Sequence, residues 1–145
     1  NPKKKYVASY NDTFILSEAM TSIFDNNMTY NIRPTGVAIK SLLNGKFAGK
    51  SGSTDTDNWM IGYNPDIVVG VWTGYDNNSL ITTTDESRFG KYIWADIINS
   101  YYKLYNKIPS WYNIPSDVIG IELNPNTGFY GSLNDYVKIL YFNKL

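Results

Sequence analysis

Three strand-forming segments between residues 46 and 72 constrain the fold of this chain more than any other feature. They cover residues 46–54, 58–63 and 67–72. The last two are joined by residues 64–66, whose sequence Asn-Pro-Asp favours a type I turn. Because so short a connection reverses the chain, we predict that these two strands are antiparallel. The third segment is a continuous apolar run, which is typical of a strand buried on both faces.

Helical periodicity flanks the three strands. Apolar residues recur at helical spacing over residues 15–24 and 92–105, and a shorter helix is predicted at residues 37–43. We expect Ser17 to cap the first helix and residues 1–13 to be irregular. Since a strand buried on both faces needs cover on both sides, the predicted fold class is α+β, an antiparallel sheet with helices on both faces.

The pattern changes after the last helix. Residues 118–123 alternate between apolar and other side chains, and residues 124–128, Asn-Pro-Asn-Thr-Gly, are a strong turn signal. A returning strand is predicted at residues 137–142. We therefore divide the chain into a main domain, residues 1–112, and a small C-terminal β appendage, residues 113–145.

The composition excludes several kinds of chemistry. The 145 residues, enough for one domain or most of one, contain no Cys and no His. A thiol nucleophile, a Ser-His pair and an imidazole metal ligand are thereby excluded. Any proton transfer must use Lys, Tyr or a carboxylate. Asp55, Asp57 and Asp66 lie near the strands, but aspartates there favour turns and caps, so we predict no metal site and no cofactor.

The charge balance indicates which binding partners to expect, and the first residue indicates whether the chain is part of a longer protein. Lys and Arg together number 13, as do Asp and Glu, so the formal net charge is zero. We predict no nucleic-acid partner, because such proteins usually carry a basic stripe. No apolar run reaches the roughly 18 residues that a membrane-spanning helix needs. Because the chain begins with Asn1 and not with Met, we expect it to be a fragment of a longer protein.

The first predicted strand contains the sequence Lys50-Ser51-Gly52-Ser53. A glycine inside a strand weakens it unless another backbone or a ligand must approach closely. At the edge of a sheet, the free N–H and C=O groups of such a strand can pair with an extended peptide. Lys50 supplies a positive charge, and the hydroxyls of Ser51 and Ser53 can donate to a carboxylate. The N–H of Ser53 can point at a developing oxyanion.

Four motifs that follow one another in this region match a known pattern. They are Gly-Lys-Ser-Gly-Ser-Thr at 49–54, Asp-Asn-Trp at 57–59, Gly-Tyr-Asn-Pro-Asp at 62–66 and Val-Gly-Val-Trp-Thr-Gly-Tyr-Asp at 69–76. Their order and spacing resemble the transpeptidase domain of penicillin-binding proteins. The similarity is greatest to class A, the bifunctional kind that also carries a glycosyltransferase domain upstream. Residues 16–20 and the C-terminal β segments also resemble this class, so nearly the whole chain is covered.

The resemblance implies an active site with three motifs, Ser-x-x-Lys, Ser-x-Asn and Lys-Thr/Ser-Gly. In the family the first serine attacks the carbonyl of D-alanyl-D-alanine, and the third motif binds the substrate carboxylate and completes the oxyanion hole. Catalytic roles are thus implied for Lys50 and Ser53. Substrate binding is implied for Ser51, Gly52, Ser53 and Thr54. The implied ligands are the peptidoglycan stem peptide and β-lactams, at the extracytoplasmic face of the bacterial cell membrane.

Matches to the other two motifs are interpreted as coincidences. Residues 100–103 fit Ser-x-x-Lys but follow the Lys-Ser-Gly strand, whereas the family's nucleophile precedes it by a long way. Residues 9–11 fit Ser-x-Asn but lie too close to that strand, and residues 132–134 lie in the tail. We therefore expect the nucleophile in a missing N-terminal part of the transpeptidase domain. The isolated chain is expected to be inactive.

Two other functions are consistent with these residues. The first is a noncatalytic module of the same fold, which binds a peptide or a partner along the edge strand. The second is a serine β-lactamase, which shares the three motifs. The Gly-Tyr-Asn-Pro-Asp hairpin and the β tail favour the transpeptidase over the β-lactamase.

Overall fold

A computed structural model describes residues 3, 5–28, 33–133 and 135–144 of the chain. These residues form two compact units. One unit is Met20–Trp111, and the other combines Asn1–Ala19 with Tyr112–Leu145. The division into domains at residues 112 and 113 stays a prediction. Residues 30–32, part of a loop that the sequence predicts at residues 30–36, lie outside the described residues.

The larger unit is built on a three-stranded antiparallel sheet. Its strands are β1 (Ala48–Ser53), β2 (Asp57–Tyr63) and β3 (Val68–Gly74), in the order β1-β2-β3. In register, Lys50 lies opposite Ile61, and Trp59 lies opposite Trp72. The three strands and their antiparallel pairing are confirmed.

Asn64 shapes the turn between β2 and β3. Its side-chain oxygen accepts hydrogen bonds from the N–H groups of Asp66, at 3.1 Å, and Ile67, at 3.2 Å. Its own N–H donates to the Ile67 carbonyl at 3.1 Å. An asparagine side chain that satisfies the next two amides in this way fixes a tight chain reversal. The predicted turn therefore follows from a local property of the sequence.

The inner face of the sheet carries the hydrophobic core. Met60 of β2 packs with Trp94 and Ile98 of helix α2 (Glu86–Tyr105), and all three side chains are fully buried. Two short 3-10 helices complete the core, through Phe24 of Thr21–Phe24 and Ile39 of Val37–Leu42. The shorter helix predicted at residues 37–43 is thus confirmed as a 3-10 helix.

The outer face of the sheet differs from the prediction. Val68 and Trp72 of β3 point outward and are 70% and 43% exposed, while Val71 points inward and is buried. The interpretation of β3 as buried on both faces is therefore wrong for the described residues. The run is continuous because apolar residues also occupy the outward positions. The α+β class with an antiparallel sheet is confirmed.

Helix α1 (Tyr10–Met20) begins before the predicted start. The Asp12 N–H donates to Ser9 Oγ at 3.0 Å, and the Ser9 hydroxyl donates back to Asp12 Oδ2 at 2.5 Å. Ser9 therefore caps the helix, and the prediction of Ser17 as the cap is wrong. Ser17 lies inside the helix, where its hydroxyl donates to the Thr13 carbonyl at 2.7 Å. The first turn is polar, so apolar periodicity does not reveal it.

The smaller unit contains a β-hairpin. Its strands β4 (Val118–Leu123) and β5 (Lys138–Asn143) are antiparallel, and both were predicted to within one residue. Phe14 of α1 packs edge-on against Tyr141, with ring centroids 5.1 Å apart. Gly128, in the predicted turn, has a φ of +75°, a conformation that glycine adopts without strain. The β appendage is therefore a hairpin that packs on Phe14.

Helix α2 also begins earlier than predicted, because a capping box precedes it. The Glu86 N–H donates to Thr83 Oγ1 at 3.2 Å, and the Thr83 N–H donates to the Glu86 carboxylate at 3.0 Å. This reciprocal pair satisfies amides at the start of a helix. The Tyr75 hydroxyl and the Thr82 N–H also donate to Glu86. Among the described residues, no helix has the length and hydropathy needed to cross a membrane.

Acidification is expected to weaken the fold through Glu86. Hydrogen bonds from Tyr75, and then from the Thr83 backbone, lower the pKa of Glu86 to about 2 from its ordinary value of 4.5. The folded chain therefore keeps this carboxylate charged at a pH where the unfolded chain binds a proton. The stabilisation is fully present above pH 4.5 and is lost as the pH falls toward about 2.

A pH series of the free energy of unfolding tests this expectation. Glu86→Gln removes the titrating group, so its unfolding free energy should fall less steeply with acid below pH 4.5 than that of the wild type. Glu122→Gln, the same chemical change on an exposed residue of β4, serves as the control. Parallel curves for Glu86→Gln and the wild type would contradict the role of Glu86.

Candidate active site

Strand β1 is an edge of the described sheet, with β2 on one side. At its end, the Thr54 N–H donates to the Asp57 carbonyl at 2.9 Å. In an antiparallel pair, alternate residues form the ladder. The backbone N–H and C=O groups of Gly52 and Lys50 therefore also pair with β2. The N–H and C=O groups of Ser51 and Ser53 point the other way, along the free edge.

The side chains of β1 alternate between the two faces of the sheet. Ser51 lies opposite Met60, and Ser53 lies opposite Asn58, both on the inner face. Lys50 is exposed, and its Nζ donates to the Ser51 carbonyl at the free edge. The edge thus combines a cation, two hydroxyls and the backbone N–H groups of Ser51 and Ser53, which no strand of the described sheet pairs, within four consecutive residues.

A small cavity of about 90 Å³ adjoins the inner side of this edge. Strands β1 and β2, the loop before the Val37–Leu42 helix and the first turns of α2 form its walls. The Thr35 hydroxyl lies 2.6 Å from the Ser51 hydroxyl. The lining residues are Thr35, Ser51, Gly52, Ser53, Asn58, Trp59, Ser87, Gly90 and Lys91. The structure therefore brings three of the predicted site residues to one cavity.

The other two predicted site residues lie beside the cavity lining. Lys50 is exposed at the edge of the sheet. Thr54 belongs to the β1–β2 turn, where its Oγ1 accepts the Asp57 N–H at 3.0 Å and the Thr56 N–H at 3.2 Å. Thr54 therefore stabilises the turn that directly follows Ser53.

Two lining residues that the sequence prediction missed are polar groups from other elements. Asn58 of β2 is only 8% exposed, and its Nδ2 has no hydrogen-bond partner among the described residues. Lys91 is half-buried on α2, where burial and then the charge of Arg88 lower its pKa. Two sequence signals could have indicated Asn58: its polar side chain at an inward strand position and its place in the Asp-Asn-Trp motif at residues 57–59. Nothing in the local sequence marks Lys91.

Two of the three aspartates considered as metal ligands, Asp57 and Asp66, accept hydrogen bonds from neighbouring residues. Asp57 accepts hydrogen bonds from Thr56 Oγ1 and Trp72 Nε1, both at 2.8 Å, and these bonds lower its pKa. Asp66 accepts the Ser110 N–H and the Tyr102 hydroxyl, both at 2.9 Å. The Ser110 bond is the main reason that the pKa of Asp66 is lowered.

The described residues that match Ser-x-x-Lys or Ser-x-Asn by coincidence lie elsewhere in the structure. Ser100 and Lys103 are exposed on the C-terminal half of α2. At 1.5 Å per residue, Ser100 lies about 13 Å along the helix axis from Lys91, which lines the cavity. Ser9 caps α1. Asn134, the last residue of the third match, lies outside the described residues.

The fold matches a solved structure. The crystal structure of penicillin-binding protein 1A from Haemophilus influenzae has a TM-score of 0.73 and 15% sequence identity to this chain. The match covers 92% of this chain and 20% of that protein. The α+β fold of this chain is thus the fold found in part of a penicillin-binding protein.

Proteins that are similar in sequence are penicillin-binding proteins too, in agreement with the structural match. Penicillin-binding protein 2D of Bacillus subtilis (strain 168) is 38% identical over 130 residues, which are 89% of this chain and 18% of that protein. Penicillin-binding protein 1B of Buchnera aphidicola is 29% identical over 143 residues, 96% of this chain and 18% of that protein. No family model matches the chain. The chain spans about a fifth of the length of these relatives. It belongs to the penicillin-binding proteins, and its relatives are mostly of class A.

Proposed function

We propose that this chain is the C-terminal part of the transpeptidase domain of a class A penicillin-binding protein. Its β1 edge forms one wall of a D,D-transpeptidase site that cross-links peptidoglycan stem peptides and is acylated by β-lactams. The observation that carries the proposal is the edge of the described sheet at β1, where backbone amides that no described strand pairs and the hydroxyls of Ser51 and Ser53 adjoin a cavity. The family of the chain supports the same function.

Each residue of the edge has a role in the proposed reaction. A serine outside this chain attacks the carbonyl between the two D-alanines, forming a tetrahedral oxyanion that collapses to an acyl-enzyme and releases D-alanine. The Ser53 N–H donates to that oxyanion. The hydroxyls of Ser51 and Ser53 donate to the substrate carboxylate, and Lys50 adds positive charge. Thr54 contributes to substrate binding next to Ser53. The hydrogen bonds that Thr54 makes in the turn also help to hold Ser53 in position.

The presence of a glycine at position 52 is explained better by a bound ligand than by packing within the fold. Among the described residues, a Cβ at this position would meet only Trp59 Cβ, at the ordinary distance of 3.8 Å. The backbone does not need a positive φ there either. Since neither packing nor backbone strain requires a glycine, we propose that it leaves room for a peptide backbone beside β1.

The rest of the transpeptidase domain is proposed to cover the outer face of the sheet. Trp59, Ile61, Val68 and Trp72 on this face are between 43% and 70% exposed. A contiguous apolar surface of this kind marks an interaction site. The missing N-terminal part would contribute this cover together with the Ser-x-x-Lys and Ser-x-Asn motifs. The parent protein is proposed to be membrane-anchored upstream, with this domain at the extracytoplasmic face.

Labelling with a fluorescent penicillin tests the proposed function. The full-length protein is expected to form a stable acyl adduct, and the isolated 145-residue chain is expected to form none. An adduct on the isolated chain would show that its nucleophile lies among residues 1–145. A full-length protein without an adduct would support the noncatalytic module, and rapid turnover of a chromogenic β-lactam would support a β-lactamase.

A further inference from the structure

The cavity beside β1 is lined by hydrogen-bond donors and a cation. Hydroxyl groups come from Ser51, Ser53 and Ser87, an amide group from Asn58 and an ammonium group from Lys91. None of the described residues that line it is an aspartate or a glutamate. Such a lining complements an anion, because nothing in it neutralises the ammonium group.

Asn58 presents to the cavity a buried donor that none of the described residues pairs. The side chain is more than nine-tenths buried, and its Nδ2 has no acceptor within the described part of the chain. The hydroxyl of Thr73, directly across on β3, is also buried and has no partner among the described residues. Leaving a buried donor unpaired is costly, so native structures rarely do so without a reason. A bound ligand atom that accepts from Nδ2 would remove this cost.

Lys91 supplies the charge for such a ligand. It is half-buried at the cavity, and the described residues give it no hydrogen bond and no ion pair. The charged group that acts on it is Arg88, one helical turn before it, which has the same sign. A partly desolvated cation beside a like charge is stabilised by an anion placed against it.

The chemistry of the proposed substrate provides that anion. A stem peptide ending in D-alanine carries a terminal carboxylate, and penicillins carry one in a comparable place. We propose that Lys91 and Asn58 join Ser51 and Ser53 in binding this carboxylate, with Lys91 as the residue that selects a charged terminus. This inference rests on the proposed transpeptidase function and adds residues from β2 and α2 to the β1 edge.

Replacing Lys91 tests the inference in the full-length protein. Lys91→Met keeps most of the side-chain stem and removes the charge. Losing one charge-assisted hydrogen bond predicts about a tenfold lower second-order rate of acylation by benzylpenicillin. The methyl ester of benzylpenicillin has no carboxylate charge, so its rate should change by about twofold or less. Lys91→Arg should keep the preference for the free acid.

Lys103→Met is the matched control, since it makes the same change at an exposed position of the same helix. Its acylation rates should equal those of the wild type with both compounds. If Lys91→Met slows both compounds equally, or slows neither, the inference is wrong while the transpeptidase proposal stands. If the wild type is not acylated by benzylpenicillin at all, the proposed function fails, and the inference fails with it.

Asn58→Ala gives an independent test of the same pocket. Loss of a neutral donor predicts about a fivefold slower acylation by benzylpenicillin and a smaller effect on the methyl ester. Because Nδ2 has no partner among the residues that the structure describes, the free energy of unfolding should change little. Strong destabilisation, with equal effects on both compounds, would make Asn58 a structural residue and contradict its role in the pocket.

Discussion

Replacing Ser53 by proline in the full-length protein is expected to slow its acylation by benzylpenicillin about 10²–10³-fold. The alternation of the ladder, set by the Thr54–Asp57 hydrogen bond, directs the Ser53 N–H away from β2 and along the free edge. Proline removes this donor. Loss of one preorganised oxyanion donor has an effect of this size in other serine enzymes.

The fold is expected to tolerate this substitution. Proline occurs on edge strands where the missing N–H would face away from the sheet. Ser53 is also the last residue of β1, so the Gly52 and Lys50 bonds to β2 remain. Protease resistance of the variant, compared with that of the wild type, checks that the domain is folded.

Ser53→Ala is the matched control, because it removes the hydroxyl and keeps the N–H. Its acylation rate should fall by no more than about tenfold, the effect of one hydrogen bond to the carboxylate. The ratio between the two variants isolates the backbone donor. Equal rates for Ser53→Pro and Ser53→Ala would show that the Ser53 N–H does not stabilise the oxyanion.

Trp94→Ala is expected to destabilise the domain by about 3–5 kcal/mol. Trp94 of α2 is fully buried and stacks on Phe24, with ring centroids 5.8 Å apart. Its indole N–H donates to the Val69 carbonyl at 3.1 Å. A Cβ at Gly62 would overlap the indole ring, so helix and sheet are in close contact there. Alanine leaves a large cavity and one unpaired carbonyl.

Pulse proteolysis across a urea series measures this loss of stability without a tryptophan signal. Tyr105→Ala removes an aromatic ring from the same helix at a position that is 58% exposed, and it should cost about 1 kcal/mol at most. A Trp94→Ala variant no less stable than Tyr105→Ala would show that the core does not depend on this contact.

The sequence predicted those parts of the fold whose determinants are local. The β2–β3 turn depends on the side chain of Asn64, which bonds the amides of Asp66 and Ile67. The Thr-x-x-Glu pattern at residues 83–86 would also have placed the start of α2 to within two residues, because a capping box acts within one turn. The start of α1 was not predicted, because its first turn is polar and the apolar periodicity does not extend to it.

Burial of β3 was not predictable in the same way. Val68 and Val71 have the same side chain, yet one is 70% exposed and the other 8%. Which face of a strand is buried depends on which side of the sheet receives the helices. Hydrophobicity along the strand contains no information on this choice when both faces are apolar.

The same contrast applies to the Lys-Ser-Gly edge. Lys50, Ser51, Gly52 and Ser53 could be placed on one strand, with alternating faces, from the sequence alone, because a strand has a two-residue period. The position of β1 at an edge of the described sheet, with Asn58 and Lys91 beside it, depends on how the elements pack together. These two residues belong to different elements, and the packing of α2 on the inner face of the sheet brings them to one cavity.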